Sequence, residues 1–449
     1  MRGAARAMLL GLALALLPAQ AAPPPYAPPA ADTRVIYSGA TLIDGTGAPP
    51  RRDMAVVVEG ETIRAVVPVR DLDANLRNGA EVVDLKGRYL LPGLIDSHVH
   101  LATPPDRPFA EAMMRRDLYG GITAVRDMAD DLRQIADLAR ASRVGEMPGP
   151  DIFFAAVMAG PSFFDDPRTR AVTAGAEPGH VPWMQAIDDA TDLPLAVAMA
   201  RGTGATAIKI YANLPPHLVK TITAEAHRQK FKVWAHGMVF PTPPADVVGA
   251  GPDVISHVCY LAYQAMDRRP ESYQARFPVD ASLFARDNPA MTALFRDIAK
   301  RGMILDATIR VYAAAEERAR SDPNAKPVHC TSDLAARLTA QAVREGVIVS
   351  AGTDGFSAKG DPWPALYGEL DLLAKKAGLS NAAVIRAATL TGAQTIGEEA
   401  RMGSIAPGKL ANMIVTAKDP LADIANLKSL EMTVKRGRRF QRMDYRTEQ

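Results

Sequence analysis

Residues 90–100 read Leu90-Leu91-Pro92-Gly93-Leu94-Ile95-Asp96-Ser97-His98-Val99-His100, an apolar run closing on two histidines two positions apart. In an extended strand, side chains at i and i+2 share a face, so both imidazoles project together. The apolar residues before them mark the strand as buried. A buried histidine pair without a partner is costly, and one shared cation would satisfy both rings. Taken alone, His-x-His is a weak signal that a solvent-facing strand explains equally well. The rest of the chain decides.

Outward from this run, short apolar strands alternate with longer amphipathic segments. The strands are expected at Leu94–His100, Thr123–Asp127, Ile152–Val157, Ala207–Tyr211, Lys232–His236, Val254–Val258, Met303–Ala307 and Val347–Ala351. Helices are expected in the gaps, at Ala110–Leu118, Leu132–Ala141, Leu195–Arg201, Leu218–Gln229, Ala290–Arg301 and Leu334–Glu345. Eight such repeats predict an α/β protein, a (β/α)8 TIM barrel with a closed parallel sheet. An open doubly wound sheet is the alternative, but no Gly-x-Gly-x-x-Gly turn follows any strand.

The flanks have another texture. Val35–Leu42, Ala55–Glu59 and Ile63–Val67 are strand-like before the barrel, as are Met413–Thr416 and Leu430–Val434 after it. Neither group is large enough for its own core, so a small β-sandwich formed from both termini is expected. The expected division is 35–92 with 400–443 for the sandwich and 93–399 for the barrel.

Chemistry in such a barrel sits at the carboxyl ends of its strands. His98 and His100 close the first, Lys209 falls late in the fourth, His236 ends the fifth, His257 lies near the end of the sixth, and Asp354 follows the eighth. One face collects them all. His236 and His257 alone read as satisfied core histidines, and Asp354 as a helix cap. Among imidazoles, a carboxylate is better placed to hold metal and accept a proton from water. Lys209 interrupts an apolar strand, Ala207-Ile208-Lys209-Ile210-Tyr211. An ammonium has no lone pair for a metal, so the residue either snorkels or pairs with a carboxylate, or acts deprotonated. A deprotonated amine can take up carbon dioxide as a carbamate, with two anionic oxygens for two metals.

With these segments in view, the chain resembles the amidohydrolase superfamily, in its imidazolonepropionase-like and prolidase-like dipeptidase branch. The matching pieces are Leu91–His100, Ile208-Lys209-Ile210, Trp234-Ala235-His236, Ile255-Ser256-His257, Gly352-Thr353-Asp354 and the tail Gly403–Lys409 followed by Asp419-Pro420-Leu421. The likeness runs from about Val35 to Phe440. It implies that His98 and His100 hold one metal with Asp354, that His236 and His257 hold the other, and that carbamylated Lys209 bridges them. It departs at Ala411-Asn412, where members carry Ala-Asp, and at Gly237-Met238-Val239-Phe240, where dipeptidase relatives have an aromatic residue shortly after the histidine. The implied enzyme is a binuclear metal-dependent hydrolase that splits the C–N bond of a small amide, such as a dipeptide or an N-acyl amino acid, with Asp354 as the proton carrier. Opening of a cyclic amide or lactone is the alternative, and a non-catalytic scaffold is disfavoured because all six ligands are present. Zinc is the expected divalent ion for imidazole and carboxylate donors, and manganese, iron or cobalt also suit them.

Substrate contacts are expected from loops after strands. Candidates are His180 of the Gly179-His180 pair, Tyr211 two residues past the lysine, and Arg310 and Tyr312 beyond the seventh strand. Phe163, Phe164, Arg168 and Trp183 share the long connection Ala159–Leu193.

The N-terminus carries an address. Arg2 and Arg6, the apolar run Met8–Leu17 and Ala19-Gln20-Ala21 read as a secretory signal peptide over 1–21, cut before Ala22, with a Pro/Ala-rich tether over 22–34. The run is too short to span a bilayer, so no membrane association is expected after cleavage, and the destination is periplasmic or extracellular. The two cysteines, Cys259 and Cys330, could pair in such a compartment or stand as separate buried thiols. A formal net charge of +2, from 52 basic and 50 acidic residues, gives no electrostatic reason for a nucleic-acid partner. A homo-oligomer is compatible with the sequence.

Overall fold

The computed structural model of the protein describes residues 24–358 and 360–447. The signal-peptide reading of residues 1–21 lies outside them. Eight strands form the barrel: β1 (Leu94–Val99), β2 (Ile122–Asp127), β3 (Asp151–Ala159), β4 (Ala207–Ile210), β5 (Lys232–His236), β6 (Val254–Ser256), β7 (Ile304–Asp306) and β8 (Ile348–Ser350). Each pairs in parallel with the next. The seam between β8 and β1 closes through single bonds, Ser97 N to Ala351 O at 2.8 Å and Asp354 N to His98 O at 2.9 Å.

All eight expected strands are present, and several are shorter than expected at their carboxyl ends. His100, Tyr211, His257 and Ala307 lie just past the ladders. After β6, β7 and β8 the cause is local: His257 (φ 72°), Thr308 (φ 51°) and Asp354 (φ 44°) adopt the left-handed conformation, which turns the chain out of the sheet. Non-glycine residues pay strain there, and such residues gather at functional sites. The expected helices also stand, and side chains of Asp106, Asp131, Asp192, Asn288 and Thr331 cap the free backbone N–H groups at their starts.

The long connection after β3 holds a hairpin. Met184–Ala186 pairs in parallel with the end of β3, and His180–Val181 pairs antiparallel with it. This places Met184 beside the barrel mouth.

The flanking strands Arg34–Leu42, Arg51–Glu59, Thr62–Pro68, Glu81–Asp84, Tyr89–Pro92, Met413–Thr416, Leu430–Lys435 and Arg438–Gln441 form one mixed sheet from both termini. It curls on itself, since Ile63 N donates to Lys409 O and Ala411 N to Glu61 O, both at 2.8 Å. Alternate residues Val35, Tyr37, Val56 and Val58 then share one core with Leu90, Met413, Val415 and Met432. The sheet is tied to the barrel by a buried charge cluster. Asp151, the first residue of β3, receives Lys435 at 3.0 Å and Arg436 at 2.9 Å. Asn412 fits this corner by accepting from Arg436 N at 2.8 Å.

Cys259 and Cys330 are joined in a disulfide, 71 residues apart in sequence, rather than standing as separate thiols. The bond links the segment after β6 to the turn before helix Ser332–Arg344. Among the described residues, no helix is long and apolar enough to cross a membrane.

Candidate metal centre

Parallel strands present their carboxyl ends on one rim, where the six expected ligands line a single cavity of about 260 Å³. His98 and His100 leave the end of β1. The ring of His98 is fixed by Asp306 at the end of β7, whose Oδ2 lies 2.6 Å from Nδ1. The same carboxylate accepts from Arg126 Nη2 at 2.9 Å and Ser256 Oγ at 3.0 Å. Burial alone would raise the Asp306 carboxyl, but His98 and Arg126 outweigh it and keep the group ionised. An ionised partner makes Nδ1 the donor, which leaves the Nε2 lone pair free to ligate. His100 repeats the arrangement, with Nδ1 3.1 Å from Asp130.

The free faces of these rings converge on Asp354. Its Oδ1 is 3.3 Å from His100 Nε2 and 3.7 Å from His98 Nε2, and its Oδ2 is 3.8 Å from His257 Nδ1. Donor atoms of His98, His257 and Asp354 all lie within 4.8 Å of one another, a spacing that suits one ion. His236 extends the set, its ring centroid 4.9 Å from that of His257. The Nδ1 of His236 is buried without a hydrogen-bond partner.

Electrostatics point the same way. Burial disfavours charge on His100, yet Asp130 and Asp354 overcome it and push the imidazole up to about 10. Positive charge is thus favoured at the corner between Asp130 and Asp354, whereas burial lowers His98, His236 and His257 and leaves those imidazoles neutral, the form that ligates a cation. Burial also works against Asp354, but the surrounding imidazoles hold it far below the usual carboxylate range. Burial, reinforced by the Arg126 guanidinium, brings Lys209 down to about 7. Its Nζ is enclosed and has no hydrogen-bond partner. A buried polar atom left alone costs free energy, so the site is incomplete as a purely protein structure.

The turn after β8 completes the centre through a close approach. A Cβ on Gly352 would stand 2.8 Å from His98 Cβ and inside contact distance of Asp306 Oδ1, so only glycine fits. Across the seam, Asp96 accepts from His98 N and Thr353 N, each at 3.1 Å, and from Thr353 Oγ1 at 2.9 Å. These bonds hold both ends of the ligand set in register.

Of the expected substrate contacts, Tyr211 lines the cavity, its ring 4.3 Å from that of His236. The other three are not in its wall. His180 sits in the outer hairpin with its side chain 66% exposed, beside Glu177. Antiparallel pairing alternates faces, so Val181 takes the buried side and His180 the solvent side. Arg310 and Tyr312 belong to helix Ile309–Ser321, which starts at once after Thr308. The first N–H groups of that helix bond Glu369, and the Arg310 guanidinium turns to Glu317 at 3.3 Å. Phe163 and Arg168 do reach the cavity, whereas Phe164 and Trp183 do not. Residues that sequence reasoning missed include Asp306, Arg126, Asp130, Tyr260 and Tyr273.

A parallel barrel whose carboxyl-end rim gathers four imidazoles, a carboxylate and an unpartnered amine defines a metal-dependent hydrolase. Residues 89–440 match the amidohydrolase family, and the chain belongs to it. Members of this family hydrolyse carbon–nitrogen bonds with metal ions, and this chain is such an enzyme. An imidazolonepropionase of Solibacter usitatus is 25% identical over 403 residues, covering 84% of this chain and 89% of that protein. A solved Xaa-Pro dipeptidase with methionine in its active site superposes with a TM-score of 0.69 at 21% identity, over 91% of this chain and 100% of its own. The A. niger ochratoxinase structure gives 0.70 at 20% identity, over 91% and 96% respectively. These structural likenesses speak for the fold.

Proposed function

We propose that the protein is an exported hydrolase that cleaves the amide bond of a small substrate, a dipeptide or an N-acyl amino acid, at a centre for two divalent cations. The observation that carries this reading is Lys209, a buried amine without a hydrogen-bond partner in the cavity of four imidazoles and Asp354. His98, His100 and Asp354 would hold one cation, and His236 and His257 the other. Such cations, zinc foremost, polarise a carbonyl and acidify water.

The protein groups supply the rest. Lys209, lowered to about 7, is available as a free amine near neutral pH. Carbon dioxide added to that nitrogen, with loss of a proton, would turn it into a carbamate and would supply the anionic oxygen donors that an ammonium lacks. Asp354 stays ionised and sits at the meeting point of the rings. It accepts a proton from the attacking water and passes it to the departing amine. Export is supported by the pattern of residues 1–21 and by the Cys259–Cys330 disulfide, which suits an oxidising compartment.

A panel of dipeptides, N-acyl amino acids, cyclic amides and lactones, offered to metal-loaded protein, tests the substrate class. Turnover of linear amides that stops on chelation is expected. Turnover confined to ring substrates would overturn the linear-amide reading.

A further inference from the structure

The outer wall of the cavity carries charge that the ligand set does not use. Tyr260 and Tyr273 line the cavity next to His236, their ring centroids 5.4 and 6.1 Å from its own. Tyr273 is held between two guanidinium groups. Arg276 lies with its Cζ 3.6 Å from the ring centroid, and Arg168 Nη2 is 3.3 Å from the hydroxyl. Arg168 is balanced by Asp166 at 2.8 Å and stands at the cavity lip. Arg276 is different. It donates to the Tyr273 carbonyl at 2.7 Å and to the Tyr260 hydroxyl, and among the described residues no carboxylate lies within 4.0 Å of its guanidinium.

A tyrosine hydroxyl that accepts from arginine keeps its own proton to donate. Tyr260 therefore offers an O–H backed by an uncompensated positive charge, and an anion is the ligand that satisfies both. Phe163 and Val172 supply an apolar surface on the same cavity wall. We propose that the Tyr260 and Tyr273 hydroxyls form the subsite that receives a substrate carboxylate, with Arg276 as the positioning residue behind Tyr260, Arg168 behind the Tyr273 hydroxyl, and Phe163 and Val172 holding the adjoining apolar side chain. The proposal rests on the amide-hydrolase reading and narrows it to acyl derivatives of apolar amino acids with a free carboxyl group. It also moves the carboxylate contact from Arg310 and Tyr312 to the segment after β6.

The test uses 3-phenylpropanoate and 3-phenylpropan-1-ol, which share an apolar group, differ in the anion and contain no bond to cleave. Calorimetric titration of the metal-loaded protein at pH 7 is expected to show the acid binding roughly 10-fold or more tighter than the alcohol, the range of a charge-assisted hydrogen bond. Tyr260→Phe, which removes only a hydroxyl, and Arg276→Met should each cut that preference to about 3-fold or less. Their affinity for the alcohol and their melting temperatures should change little, whereas a structural lesion would move both. Equal binding of the two probes, or no binding of the acid, overturns the subsite. So does a preference that survives both variants, because the carboxylate would then be held at the metal ions. Since neither probe is a substrate, absence of amide turnover alongside retained acid preference would sink the hydrolytic reading and leave the subsite standing.

Discussion

Breaking the Cys259–Cys330 cross-link tests how far that bond holds the cavity wall together. The bond closes a loop with a sequence separation of 71. In the chain-entropy treatment, closing a loop of that length removes roughly 15 cal/mol/K from the unfolded ensemble, or about 4 kcal/mol at 25 °C. A chain of 449 residues has an unfolding entropy of roughly 0.9 kcal/mol/K near its melting point, so the loss converts to about 5 °C. The closed loop contains Tyr260, Tyr273 and Arg276, and Cys259 is two residues from His257, so the loosened segment carries part of the cavity. The assay is thermal unfolding of metal-loaded wild type and of the Cys259→Ser/Cys330→Ser double variant, followed by circular dichroism, with the wild type repeated after reduction. Reduction of the wild type should reproduce most of the loss seen in the double variant. A shift below about 1 °C in both would mean that the cross-link does not restrict the unfolded chain as its loop length requires.

Asp354→Asn should keep the metal ions nearly intact, by elemental analysis, while lowering kcat by about 10²–10⁴-fold, since an amide cannot carry the proton; full turnover would remove Asp354 from that role. Asp151→Asn leaves Lys435 and Arg436 buried against a neutral group and should cost about 3–5 kcal/mol in denaturant unfolding. Burial alone would raise the Asp151 carboxyl, but Lys435 and Arg436 outweigh it and hold the folded value below the reference of 3.8. The stability it contributes is therefore complete above that reference and is lost as pH falls below it, so the variant should show a shallower acid limb than the wild type. Gly352→Ala forces its methyl group against Asp306 and His98, and overpacking of about 1–3 kcal/mol should appear together with reduced metal content; unchanged melting and metal content would contradict the close approach.

Much of this architecture was legible because the barrel repeats one signal, an apolar strand ending in a polar residue, and the eye can follow it from His98 to Asp354. Lys209 stood out because charge inside an apolar strand has few explanations. Asp306 carries the same signal, in Ile304-Leu305-Asp306, yet its task is to orient His98, and no spacing rule connects positions 208 residues apart. Arg310, four residues further on, is turned away from the cavity by the early start of helix Ile309–Ser321. Tyr273 and Arg276 lie in an irregular stretch without a period of 2 or 3.6, where sequence has no rule for direction. His180 lies away from the cavity for the opposite reason: the Gly-His pair resembles a motif, and the register of a short hairpin sends its ring to solvent.

In the proposed centre two cations share one mouth with Lys209 between them. Anomalous diffraction from crystals grown with the metal-loaded protein tests it directly. Two peaks are expected, one beside His98, His100 and Asp354 and one beside His236 and His257, with added electron density on Lys209 Nζ. A single peak next to an unmodified lysine, or peaks elsewhere on the protein, would contradict it.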